Sequence, residues 1–328
     1  MAKKITGSKL LKLRVWLSWI QTISNAHTAY KIEEAIYTSL GRFHKGDKDS
    51  PHTRPHLFDA YLTNASLPSK RTLDQIEKSN RFRDSSAYFY LPFWDVISEK
   101  LPEQRFLREL ICSSRPNLTR YLHYGYRPKN AKWASILESP KTIDSLWKQG
   151  DIEALTVLLA IVRDAEHTNN QIQHSEAAYA AMYLSLFILS AEPYYSNRKL
   201  IFTYLSDHFF SKEYVLPNKS TFNLKADDID VDFVISEIRN ALQVAKIHGL
   251  NLKASKTRGR YVYWLKRLGI LHYFAFSGDI WLMINEPETK ESKRLLDKIK
   301  SRMKNDDRGS YHIDNLFLYM LRKSILKG

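Results

Sequence analysis

Residues 151–191 read DIEALTVLLAIVRDAEHTNNQIQHSEAAYAAMYLSLFILSA, and the fold class turns on this stretch. Leu155, Leu158, Leu159, Val162 and Ala165 recur at helical spacing, and Ala178, Met182, Leu186 and Leu189 do so again. Thr168-Asn169-Asn170 lies between the two stripes. The pattern predicts two packed helices broken at those residues, or one long helix passing through them. The apolar run 177–191 contains Tyr179, Ser185 and Ser190 and is too short to span a bilayer, so it reads as buried helix.

Upstream, Leu10, Leu11, Leu13, Val15, Trp16, Leu17, Trp19, Ile20 and Ile23 predict a first helix that is apolar over much of its circumference. A second helix, 30–40, ends at Gly41. Residues 41–55, with Gly46, Pro51 and Pro55, read as a loop. Two short helices, 57–62 and 69–79, follow, with Ser69 as the cap of the second. Residues 81–90 read as a polar-aromatic connector, and Pro92 opens a helix carrying Phe93, Trp94, Val96 and Ile97. Downstream, 200–210 is helical, 212–230 is a polar loop marking a boundary, and 233–247 is an amphipathic helix with Val234, Ile238, Ala241, Leu242 and Ala245 inward. Trp16, Trp19, Leu158, Met182 and Leu186 are expected in the interior.

The 328 residues hold 50 Lys and Arg against 35 Asp and Glu, a net charge of +15. That excess points to a polyanion, with phosphate backbones ahead of an anionic membrane surface. Cys112 is the only cysteine, which excludes an internal disulfide framework and a Cys-cluster zinc site and fits a cytoplasmic location. The basic, amphipathic start of the chain has no uninterrupted apolar signal core.

The charge is not evenly spread. Residues 238–278 contain no acid and eight bases: Arg239, Lys246, Lys253, Lys256, Arg258, Arg260, Lys266 and Arg267. Around them the pattern runs helix 233–247, turn 253–258, helix 259–268, then strands 270–276 and 280–284 about the Ser277-Gly278-Asp279 turn. This order resembles a winged helix-turn-helix. The resemblance implies a second helix in the major groove, with Lys256, Arg258, Arg260 and Tyr263 facing nucleic acid, Lys253 in the preceding turn, and Lys266 and Arg267 on phosphates.

A second segment, 58–76, reads FDAYLTNASLPSKRTLDQI. It resembles the helix-turn-helix of phage repressors of the Cro/CI kind. Phe58 and Tyr61 occupy the apolar positions, Pro68-Ser69 the Pro-Ser pair, and Leu73 and Ile76 the closing helix. Asn64 stands where that family has Gly, and Asn tolerates the left-handed conformation such a turn needs. The resemblance implies that His52, Thr53, Arg54, His56 and Lys70 lie near the groove. Asp59, Asp74 and Glu77 flank this turn, so the acid-free C-terminal window is expected to be the reader.

Residues 111–137 also lack acids and interleave Arg115, Arg120, Arg127, Lys129 and Lys132 with Tyr121, His123, Tyr124, Tyr126 and Trp133. Such a stretch either grips a backbone and stacks on bases or packs between domains. No Gly-rich phosphate loop, HExxH or G-x-S-x-G is present. His167 and His174, seven apart near Asp164 and Glu166, form a metal site or a solvated polar stripe. Arg267 and His272 match the Arg-x4-His spacing of HEPN ribonucleases.

The sequence therefore predicts a mainly α protein, with helical-bundle domains at 1–90 and 91–215 and a winged-helix-like domain with a small β-hairpin at 231–328. It predicts a helix-turn-helix DNA-binding protein, acting in transcription regulation or within a nucleoprotein assembly, without cofactor, metal or membrane. The alternatives are a HEPN-type ribonuclease and a winged helix that docks on a protein partner or a second copy.

Overall fold

The structure is a computed structural model that describes residues 5–41, 56–114, 123–124, 132–133, 146, 148–210, 213–215, 221–223, 230–247, 290, 294 and 297. The described residues are mainly helical. The chain divides into two compact units, Met1–Lys100 with Ala191–Ile201, and Leu101–Ser190 with Phe202–Gly328.

The first unit is built around α1, Gly7–Ser24. Leu11, Leu13, Val15, Trp16, Leu17 and Ile20 are all buried, because partners cover this helix on more than one side. Around it lie α2 (Ala29–Ser39), α3 (Leu57–Leu62), α4 (Lys70–Glu77), α5 (Ser85–Phe89) and α6 (Phe93–Val96). Trp16 is the centre, stacked on Phe58 at 5.8 Å and meeting Tyr61 and Phe89 edge-on. Trp19, expected inside, is only half-buried and leans on Tyr88 at 5.8 Å. The returning segment ties in through Asn197, whose amide donates to Ser18 Oγ at 2.7 Å and to the Arg14 carbonyl at 3.3 Å.

Helix ends in this unit are satisfied by carboxylates from elsewhere in the chain. Glu99 Oε1 accepts from the Ser8 amide at 2.8 Å, in the first turn of α1. Glu33 Oε1 accepts from the Phe58 amide at 3.0 Å, in the first turn of α3. Glu77 Oε1 accepts from the Ser86 amide at 3.0 Å and from the Ser86 hydroxyl, in the first turn of α5. Each places an anion on orphan N–H groups at the positive end of a helix. The Glu77 bond explains a departure from the sequence reading. Residues 85–89, read as connector, become helix because a carboxylate nine residues back caps them.

In the second unit, α8 (Ile152–Thr168) packs against both α7 (Gln104–Ser113) and α9 (Gln171–Leu189). The break between α8 and α9 is made by two asparagines. Asn169 is left-handed (φ 51°) and closes α8, while the Asn170 side chain accepts from the Gln173 amide at 3.1 Å and opens α9. Residues 154–165 are buried all round, so the stripe expected on α8 is part of an encircled helix. Leu158, Met182 and Leu186 are buried as expected, and the Ser185 and Ser190 hydroxyls return to the Met182 and Phe187 carbonyls at 2.6 Å.

Further along, α10 (Arg198–Leu205) continues into a wider turn, Ser206–Phe210. The region read as a polar loop contains β3 (Glu213–Val215) and β4 (Thr221–Asn223), antiparallel with Tyr214 opposite Phe222. Backbone groups there pair with each other, which residue polarity alone does not reveal. The strands β1 (His123–Tyr124) and β2 (Lys132–Trp133) form a second short antiparallel pair within the basic-aromatic stretch. The helix α11, Val231–Ile247, buries Ile235 and Ile238, whereas Val234 and Leu242 are only half-buried. Among the described residues no helix is long and apolar enough to cross a membrane.

Candidate nucleic-acid interface

The α3–turn–α4 corner is where sequence expectation and described structure meet. Asn64 is left-handed at φ 59°, the conformation that the turn requires. Its amide donates to the Tyr61 carbonyl at 3.1 Å, and the Ala65 amide to the Ala60 carbonyl at 2.8 Å, closing α3. Ser69 Oγ then accepts from the Thr72 amide at 3.1 Å and starts α4. Phe58, Tyr61, Leu73 and Ile76 all point into the core. Burial pushes the Tyr61 hydroxyl up, and the Thr72 side chain on α4 works against that rise.

With Leu73 and Ile76 inward, the other side of α4 is set by helical geometry. Lys70, Arg71, Asp74 and Lys78 are exposed on it. Among the described residues Lys70, Arg71 and Lys78 have no ion-pair partner. The neighbouring acids are engaged otherwise: Glu77 caps α5, and Asp59 Oδ2 sits 3.1 Å from His56 Nδ1. Arg81 belongs to the scaffold. Its guanidinium donates to the Ile23 carbonyl at 2.8 Å and to the Ser24 carbonyl at 3.2 Å, at the C-terminal end of α1.

Of the residues expected at a nucleic-acid surface, Lys70 stands at the exposed start of α4. His56 precedes α3 with φ 51°. His52, Thr53, Arg54, Lys253, Lys256, Arg258, Arg260, Tyr263, Lys266, Arg267 and His272 lie outside the described residues, as does the whole expected wing. Arg71 and Lys78 went unremarked in the sequence. Their spacing from Lys70, one and eight residues on, opposite Leu73 and Ile76, was the available signal.

The two histidines of the second unit do not share one solvated stripe, since His167 is exposed and His174 is buried. His167 ends α8 and its Nε2 lies 2.7 Å from the Pro102 carbonyl, while His174 is buried on α9 with Nε2 3.7 Å from Glu166 Oε1. The helix break at Asn169 separates them. Glu166 also takes Arg163 Nη1 at 3.1 Å, and Asp164 takes Arg108 Nε at 3.0 Å, which ties α7 to α8. Arg163 lies over the Phe209 ring at 4.3 Å. Among the described residues no cluster of three or more metal-ligating side chains occurs. Burial pushes the Cys112 thiol up, away from a reactive thiolate. No protein-family model, no curated protein and no solved structure matches this chain.

Proposed function

We propose that this chain binds nucleic acid, duplex DNA foremost, as a regulator or as a component of a larger nucleoprotein assembly. The observation that carries the reading is the outward face of α4, where Lys70, Arg71 and Lys78 have no ion-pair partner among the described residues, on a helix that follows α3 across the left-handed turn at Asn64. A helix presented in this way fits the major groove of B-form DNA. The acid-free window 238–278, with its eight bases, supports a second contact zone on the phosphate backbone. In this reading α4 is the reader. Two of the three acids that counted against it, Asp59 and Glu77, are turned onto protein groups.

The test is an anisotropy titration of the full chain against duplex DNA, single-stranded DNA and RNA at two salt concentrations. Tightest binding is expected to duplex DNA, with log affinity falling against log salt by about 0.9 per phosphate contact. A flat salt response, or no binding to any of the three at low salt, removes nucleic acid from the partners of this chain.

A further inference from the structure

Three cations lie within helical ion-pair reach of Asp74, and none of them pairs with it. Lys70 is four residues before it, Arg71 three before, and Lys78 four after. All four side chains are exposed on one face of α4. Elsewhere in the unit Glu33, Glu77 and Glu99 hold helix amides, and Asp59 holds His56. Asp74 instead leaves a carboxylate open in the middle of a basic face.

On a surface that only gripped phosphates, that carboxylate would repel the ligand. It gains only opposite a hydrogen-bond donor. In the major groove the donors are the exocyclic amines of cytosine and adenine. Adenine sets its N7 acceptor beside the amine, where it repels a second acceptor, while cytosine offers the amine alone. Lys70 and Arg71, one turn earlier, are donors of the kind that guanine O6 and N7 accept.

Resting on the function proposed above, we infer that Asp74 makes this interface sequence-selective, by accepting a hydrogen bond from the exocyclic amine of one cytosine in duplex DNA. The basic neighbours supply attraction and place α4 against the base edges, and Asp74 supplies the choice of base at one position.

The experiment selects duplexes from a randomised library with the full chain, as wild type, Asp74→Ala and Asp74→Asn. Thermal melts check that the variants fold, as expected for an exposed side chain without a partner. Wild type should select a site with one fixed cytosine, and replacing it by thymine should weaken binding about 5- to 150-fold. Asp74→Ala should lose that discrimination while holding unselected duplex at least as tightly as wild type. Asp74→Asn should move the preference at the same position toward adenine, whose amine and N7 suit a carboxamide. Identical base preferences in all three proteins would overturn the inference and leave nucleic-acid binding intact, as would wild-type binding without any preference. Absence of binding at low salt would overturn both, and the salt titration reports that separately.

Discussion

The buried carboxylate of Glu33, on α2, accepts the amide hydrogen of Phe58, in the first turn of α3, at 3.0 Å. One bond thus fixes the start of the helix that precedes the candidate reader and satisfies a donor that would otherwise be orphaned. Glu33→Ala should destabilise the first unit by about 1.5–3 kcal/mol, the range for a hydrogen bond to a charged group. Glu33→Gln, which keeps an acceptor, should cost less. Urea denaturation of the three proteins checks this, and equal losses for both variants would show that charge rather than acceptance matters.

Burial pushes the Glu176 carboxyl from 4.5 up to about 7. A carboxyl whose folded value lies above its unfolded one favours the folded state when protonated. That stability is complete below pH 4.5, is lost as pH rises through about 7, and stays lost above. Between pH 5 and pH 8 the second unit should lose about 2 kcal/mol, allowing for a side chain not wholly removed from water. Glu176→Gln should abolish this slope and raise stability at pH 8. Denaturation midpoints at the two pH values decide it.

Leu186 is buried on α9, with Leu184, Phe187 and Leu189 around it in sequence also buried. Leu186→Ala should cost about 2–5 kcal/mol through the cavity left behind. Leu186→Met, which conserves volume, should cost under about 1.5 kcal/mol.

Reader and backbone-holding roles separate under charge reversal. Reversing Lys70 and Arg71 should erase base preference as well as affinity. Reversing Arg258 and Arg260 should weaken all duplexes alike and flatten the salt slope by about one unit per lost phosphate contact. Competition between selected and random duplexes distinguishes the two. A loss of base preference on reversing Arg258 and Arg260 would return the reader's role to the C-terminal window.

Long apolar periodicities were legible. The helices α1, α8 and α9, the left-handed Asn64 and the Ser69 cap all follow from residue types with local causes. What escaped was decided at a distance. The helix α5 depends on Glu77, the β3–β4 pair on backbone partners, and the roles of the acids on where each carboxylate ends up. Counting Asp59, Asp74 and Glu77 along the chain made the N-terminal corner look acidic. In space one of them caps a helix, one faces a histidine, and only Asp74 joins the basic face.

The bonds from Asn197 to Ser18 and Arg14 bridge 179 and 183 residues. A ribosome delivers α1 first and Asn197 only after residues 101–190, which belong to the other unit, have been made. The order of synthesis is therefore not the order of completion. The helix α1 receives these partners only once residues 101–190 have been made, and a chain released before residue 197 carries an α1 with those polar sites still facing water.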